Sequence, residues 1–87
     1  MENFKEVVLD SSEKVMVKFG ASWCGPCKVM DGRLQQLIYD NLNVEKVDVE
    51  KFPKIGAKYA IRNLPTIIVF QNGEVVERFE GYATVEK

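Results

Sequence analysis

Cys24 and Cys27 are the only cysteines in the chain, and they lie three positions apart in the run Trp23-Cys24-Gly25-Pro26-Cys27. Two thiols at this spacing can alternate between dithiol and disulfide and so hand two electrons to a partner. The reactive form is the thiolate, and a free thiol with a pKa near ~8.5 is mostly protonated at neutral pH. A helix N-terminus offers unpaired N–H groups and about half a positive charge, which stabilises a thiolate placed there. Pro26 suits a first helical turn, where its missing N–H costs nothing. Cys24 then sits at the helix end as nucleophile. Cys27 sits one turn inside as the shielded resolving thiol.

Other uses of two cysteines fit less well. Zinc wants four ligands, and this chain has no histidine and no third cysteine. A metal would need carboxylates, or ligands from a second chain; no metal site is expected. A purely structural disulfide would close a very small loop and constrain the unfolded chain little.

The elements that must hold the cysteines can be read from apolar spacing. Phe4, Val7 and Val8 mark a short helix over residues 3–9, ended by Asp10-Ser11-Ser12. Lys14–Gly20 alternates as a strand, with Val15, Val17 and Phe19 on one face. A loop over Ala21–Trp23 leads into the cysteines. From about Gly25 to Asn41, Met30, Leu34, Leu37 and Ile38 define one face of a helix. Gly32 inside it costs about 1 kcal/mol relative to Ala. Val44–Val49 is a second strand. Pro53 opens a short helix carrying Ile55, Ala57 and Tyr59. Thr66–Phe70 is a continuous apolar run, as in a strand buried on both faces. Asn72-Gly73 signals a two-residue hairpin, and Glu74–Glu80 returns as a charged edge strand. Helices alternating with strands before a hairpin give a mixed α/β sheet.

With 87 residues the chain is bounded to one domain, residues 1–87. A net charge of −1 with interspersed signs argues against a nucleic-acid face. No stretch reaches the ~20 apolar residues of a membrane span, and the first residues do not read as a secretory signal. A cytoplasmic location is expected, where thiols stay reduced unless catalytic or regulatory.

The run Trp23-Cys24-Gly25-Pro26-Cys27-Lys28, placed after a β-strand, resembles the active-site motif of the thioredoxin family. Arg62-Asn63-Leu64-Pro65-Thr66 is similar to that family's cis-proline segment, Gln71-Asn72-Gly73-Glu74-Val75 to its hairpin, and Gly81 to its post-strand glycine. The resemblance covers about residues 14–81. It implies a thioredoxin fold: a four-stranded mixed sheet flanked by helices, in the order 44–49, 14–20, 66–70, 74–80. It implies a cis bond before Pro65, pairing of the Leu64 backbone with an extended substrate segment, and an apolar contact surface from Trp23, Gly25, Pro26, Leu64 and Gly81.

The activity so implied is reduction of protein disulfides by dithiol–disulfide exchange. The resemblance also implies no bound cofactor, electrons supplied by an external, NADPH-dependent thioredoxin reductase, and as partners that reductase and disulfide-containing proteins. The alternatives are a glutaredoxin-like, glutathione-dependent protein, against which the Gly-Pro between the cysteines argues, and a binding subunit of a larger assembly.

Three departures from the family stand out. Lys18 occupies the place, six residues before Cys24, of the family's buried aspartate. Lys18 is expected to tune the thiols as a cation, to act as a desolvated base, or to reach out to solvent. Lys46 matches a family lysine near that position, so the two would repel unless Glu45, Asp48 or Glu50 helps. Gly32 replaces a kinking proline, and Gly20 replaces an aromatic. The first strand is reduced or absent, and the C-terminal helix is missing or only begun at Thr84–Lys87. Exposed apolar surface follows, with a monomer expected and a dimer as the alternative.

Overall fold

The computed structural model describes residues 3–39 and 43–80, the side chains of 36–39 excepted. Four strands form one sheet in the order β2-β1-β3-β4: β1 Val15–Gly20, β2 Val44–Asp48, β3 Thr66–Gln71 and β4 Glu74–Glu80. β1 pairs in parallel with β2, bringing Lys18 opposite Lys46. It pairs antiparallel with β3, bringing Lys18 opposite Ile67 and Phe19 opposite Thr66. β3 and β4 are antiparallel, with an irregularity between Val69 and Phe70. This is the order expected from the sequence.

The strand alternation sorts β1 onto two faces. Val15, Val17 and Phe19 face a core shared with Phe4, Val8, Val47, Ile68 and Phe70. Side chains of this size each contribute about 1.5–3 kcal/mol when fully buried. The segment Lys5–Leu9 covers this face as a π-helical turn, in which the Asp10 N–H donates to the Lys5 carbonyl at 2.8 Å. Phe4 meets Phe70 edge-on at 5.8 Å, and Tyr59 meets Phe70 edge-on at 5.2 Å. Burial raises the Tyr59 phenol above its ordinary pKa.

Helix α2, Pro53–Lys58, lies over the same core through the partly buried Ile55 and, just past its end, Tyr59. Ala57, also on this helix, is exposed. The chain leaves α2 through Ala60 at φ 53°. The Ile61 N–H donates to the Gly56 carbonyl at 2.9 Å and the Ala60 N–H to that of Ala57 at 3.1 Å. This is a Schellman ending with alanine where glycine is usual.

Helix α1, Gly25–Tyr39, covers the opposite face. Its Met30 and Leu34 pack with Ile67, rimmed by Met16, Val44 and Phe79. Leu37 and Ile38, expected on the same stripe, have side chains outside the described residues. α1 runs unbroken through Gly32, so glycine imposes no kink there.

Among the described residues no strand precedes β1. The expected helix start at Thr84–Lys87 falls outside the described residues, as does Gly81. Apolar side chains do lie exposed: Val29 on α1, and Val75 and Val76 on edge strand β4.

Candidate active site

The cysteines follow directly from the end of β1. After Gly20 the chain turns, with the Cys24 N–H donating to the Ala21 carbonyl at 3.2 Å. Cys24 then caps α1: its carbonyl accepts the Lys28 N–H at 3.3 Å, and its Sγ accepts the Cys27 N–H at 3.2 Å. A sulfur in that position takes one of the N–H groups a helix start leaves unpaired, the role a polar N-cap side chain normally fills. The same contact favours a charged sulfur when the pair is reduced. Cys24 and Cys27 are joined as a disulfide, with Cα atoms 5.2 Å apart.

Both cysteines are buried, Cys27 the more deeply at 1% exposure against 4% for Cys24. Ala21 and the half-buried Leu64 pack around them. Pro65 is buried and its bond to Leu64 is cis. Trp23 is 67% exposed beside the pair, and Gly25 and Pro26 are exposed in the first turn of α1. A large exposed aromatic next to a reactive disulfide is suited to contact with a partner rather than to core packing.

The segment bearing Leu64 and Pro65 is pinned from both sides. The buried Thr66 hydroxyl donates to the Asn63 carbonyl. The Asn63 side-chain amide donates to Glu80 Oε1 at 2.8 Å. Arg78 Nε donates to Glu80 Oε2 at 2.9 Å, and its terminal nitrogens reach the Tyr59 and Ala60 carbonyls. The hydrogen bond from Asn63, and then that from Arg78, hold the Glu80 carboxyl below its ordinary pKa.

Lys18 does not reach out to solvent. It is buried at 5% exposure, on the β1 face that α1 covers. Its Nζ lies 2.6 Å from Asp31 Oδ1. Lys46 Nζ approaches the same oxygen at 3.7 Å. Asp31 thus separates the two lysines, a task expected of Glu45, Asp48 or Glu50. Asp48 instead accepts the backbone N–H groups of Glu50 and Lys51, at 2.8 and 3.3 Å, and shapes the turn after β2. Sequence reasoning missed Asp31, although a signal was present. It lies four residues after Cys27, on the same side of a helix.

A cleft of about 350 Å³ opens here, lined by Lys18, Gly20, Asp31, Lys46, Asp48 and Lys51 among others. Gly20 lies between the ion pair and the disulfide. A methyl group on it would stand 3.0 Å from Cys27 Sγ and 3.1 Å from Lys18 Nζ. Among the described residues no cluster of side chains is arranged to hold a metal ion, and no helix is long and apolar enough to cross a membrane.

A cysteine pair at the N-terminus of a helix that leaves a four-stranded mixed sheet, beside a cis-proline, defines the class of dithiol–disulfide exchange domains. The chain belongs to the thioredoxin family: the family's model, described as Thioredoxin, matches residues 1–87. It is 39% identical to Thioredoxin Y1, chloroplastic, of Arabidopsis thaliana, over 99% of this chain and 52% of that protein. It is 40% identical to a thioredoxin-like protein of Synechocystis, over 91% of this chain and 78% of that protein. Among solved structures, a Fasciola hepatica thioredoxin superposes with a TM-score of 0.83 at 28% identity, covering 98% of this chain and 81% of that one. The chain therefore spans about half the length of the first of these relatives and most of the others.

Proposed function

We propose that the protein is a thiol–disulfide oxidoreductase that reduces disulfide bonds in proteins. The observation that carries this reading is the Cys24 sulfur seated on the first turn of α1 and accepting the Cys27 N–H at 3.2 Å. In the reduced state the Cys24 thiolate attacks one sulfur of a substrate disulfide; the mixed disulfide forms as the substrate S–S bond breaks, and the other substrate sulfur leaves with the electron pair and takes up a proton. Cys27 then attacks the Cys24 sulfur. The Cys24–Cys27 bond forms, the bond to substrate breaks, and the electron pair leaves with the substrate sulfur, which takes up a proton. The substrate gains two electrons and the cysteine pair loses two.

Trp23, Gly25, Pro26, Leu64 and Pro65 serve as the contact surface, and the Leu64 backbone pairs with an extended substrate strand. Gly81 is assigned to the same surface by family resemblance. An NADPH-dependent thioredoxin reductase returns the electrons, and the chain acts as a monomer. A reducing compartment such as the cytoplasm fits this direction of electron flow.

Turbidity from insulin reduction by dithiothreitol, with and without the protein, tests the activity; absence of acceleration refutes it. Supplying thioredoxin reductase in one arm and glutathione in another tests the electron source. A Cys27→Ser variant leaves the mixed disulfide on Cys24 unresolved, so substrates remain attached and can be identified.

A further inference from the structure

Below the disulfide lies a charged pair that the exchange reaction as written does not use. A buried ion pair is weak evidence for stability, since desolvation offsets most of its attraction. Lys18 is held on the cysteine side of the sheet. The residue that would screen it from the sulfur, Gly20, has no side chain. Because both Lys18 Nζ and Cys27 Sγ border the space of a single methyl on Gly20, 3.1 and 3.0 Å from it, the two atoms are separated by at most about 6 Å. At that range a charge shifts its neighbour's ionisation.

We propose that Lys18 is a positioning residue for the resolving step: its ammonium, oriented by Asp31, stabilises the Cys27 thiolate, and the Cys27 proton passes to water in the adjoining cleft. The balance is that Cys27 S–H gives its proton to water and its sulfur lone pair to the Cys24–substrate disulfide. This proposal rests on the exchange reading above and adds which charge drives its second half.

The other charged groups around the cleft are Asp31 from α1, Lys46 and Asp48 from β2, and Lys51 from the following turn. Three cations against two carboxylates leave the cleft net positive, the sign that favours thiolate. Asp31 offsets part of that charge, holding two lysines on one oxygen. A carboxylate acting as the base and a cation acting through its field therefore differ in the sign of an Asp31 substitution.

The test has two parts. In a Cys24→Ser background only Cys27 titrates, and the ultraviolet absorbance of its thiolate gives the midpoint. Lys18→Met should raise that midpoint, Lys18→Arg should restore it, and Asp31→Asn should lower it by freeing the Lys18 charge. Midpoints that stay put while thermal stability falls assign the pair a structural role and overturn the proposal. An Asp31→Asn midpoint that rises also overturns it.

In the otherwise unmodified reduced chain, a dithiobis(nitrobenzoate) probe releases one coloured thiolate when Cys24 attacks and a second when Cys27 resolves. Lys18→Met should cut the thiolate fraction about tenfold at neutral pH. A more basic thiolate attacks faster, with a Brønsted slope of about 0.5, so the second phase slows by only about threefold. Asp31→Asn should speed it, whereas a slower phase would mark Asp31 as the base. A missing second phase in the unsubstituted chain refutes the exchange reading itself. A normal second phase indifferent to both substitutions refutes only the role of Lys18.

Discussion

Asp31 receives the Lys18 ammonium at 2.6 Å from one helical turn beyond Cys27, tying α1 to the central strand directly beneath the disulfide. The two partners are unequally placed: the Lys18 side chain is 7% exposed and that of Asp31 36%. That inequality makes their removal unequal.

Asp31→Ala leaves a buried ammonium without its 2.6 Å carboxylate. Breaking a fully buried pair this way costs ~3–5 kcal/mol. The partial exposure of Asp31 reduces the figure to about 1–3 kcal/mol. Lys18→Met replaces the charge with an apolar chain of similar length and should change stability by less than about 1 kcal/mol. Urea unfolding of both variants checks this, and equal losses would contradict it.

Lys18→Asp should make the redox potential more negative, because the thiolate-stabilising charge favours the dithiol form and its removal withdraws that favour. Equilibration against a dithiol couple of known potential measures it. A potential that is unchanged or less negative would rule out an effect of this charge on the cysteines.

Glu80 should give the fold an acid-sensitive contact beside the site. Its folded carboxyl lies below the ordinary value, through Asn63 first and Arg78 second. The stabilisation is therefore present above the unfolded pKa and is lost as pH falls through the depressed folded one. Acid unfolding of Glu80→Gln, followed by circular dichroism, should show a shallower decline over that window. The contact ties Asn63, next to Leu64, to β4, so acid strong enough to protonate Glu80 should also loosen the Leu64–Pro65 segment. A Glu80→Gln curve parallel to that of the parent chain would count against both statements.

Two backbone positions with positive φ should respond in opposite directions. Gly73 closes the hairpin at φ 78°, and a Cβ there would meet the Leu9 carbonyl oxygen at 2.8 Å. Gly73→Ala should cost about 1–3 kcal/mol. Ala60 already carries a side chain at φ 53°, so Ala60→Gly should stabilise by about 0.5–1 kcal/mol. Thermal melts of the pair decide; an Ala60→Gly loss would mean that the side chain is doing more than strain implies.

Gly32→Ala should raise stability by about 0.5–1 kcal/mol, since the added methyl meets nothing within 4 Å and α1 is continuous there. A lower melting temperature would show that the helix needs the freedom of glycine at this turn.

The strands were legible because alternation in β1 and the apolar run of β3 leave little choice of face, and Asn72-Gly73 dictates the hairpin through its two positive φ values. The cysteine chemistry was equally legible, being carried by residue type and spacing. The surroundings of Lys18 were not. A lysine in a strand usually carries its charge to solvent, and only the packing of α1 on β1 brings Asp31 over it. The Schellman ending at Ala60 was hidden for a simpler reason: alanine gives no sign of a left-handed residue.

The sheet order separates the two halves of the site in sequence as well as in space. The cysteines follow β1, whereas Leu64 and Pro65 precede β3, and antiparallel β1–β3 pairing brings them together. A chain emerging from synthesis therefore presents both cysteines about forty residues before β3 exists. Until β3 zips onto β1, the cysteines lack the Leu64 side chain that packs against them. The complete arrangement around the cysteine pair is thus a late product of folding, and damage that unzips β3 would take it apart while leaving both cysteines in the chain.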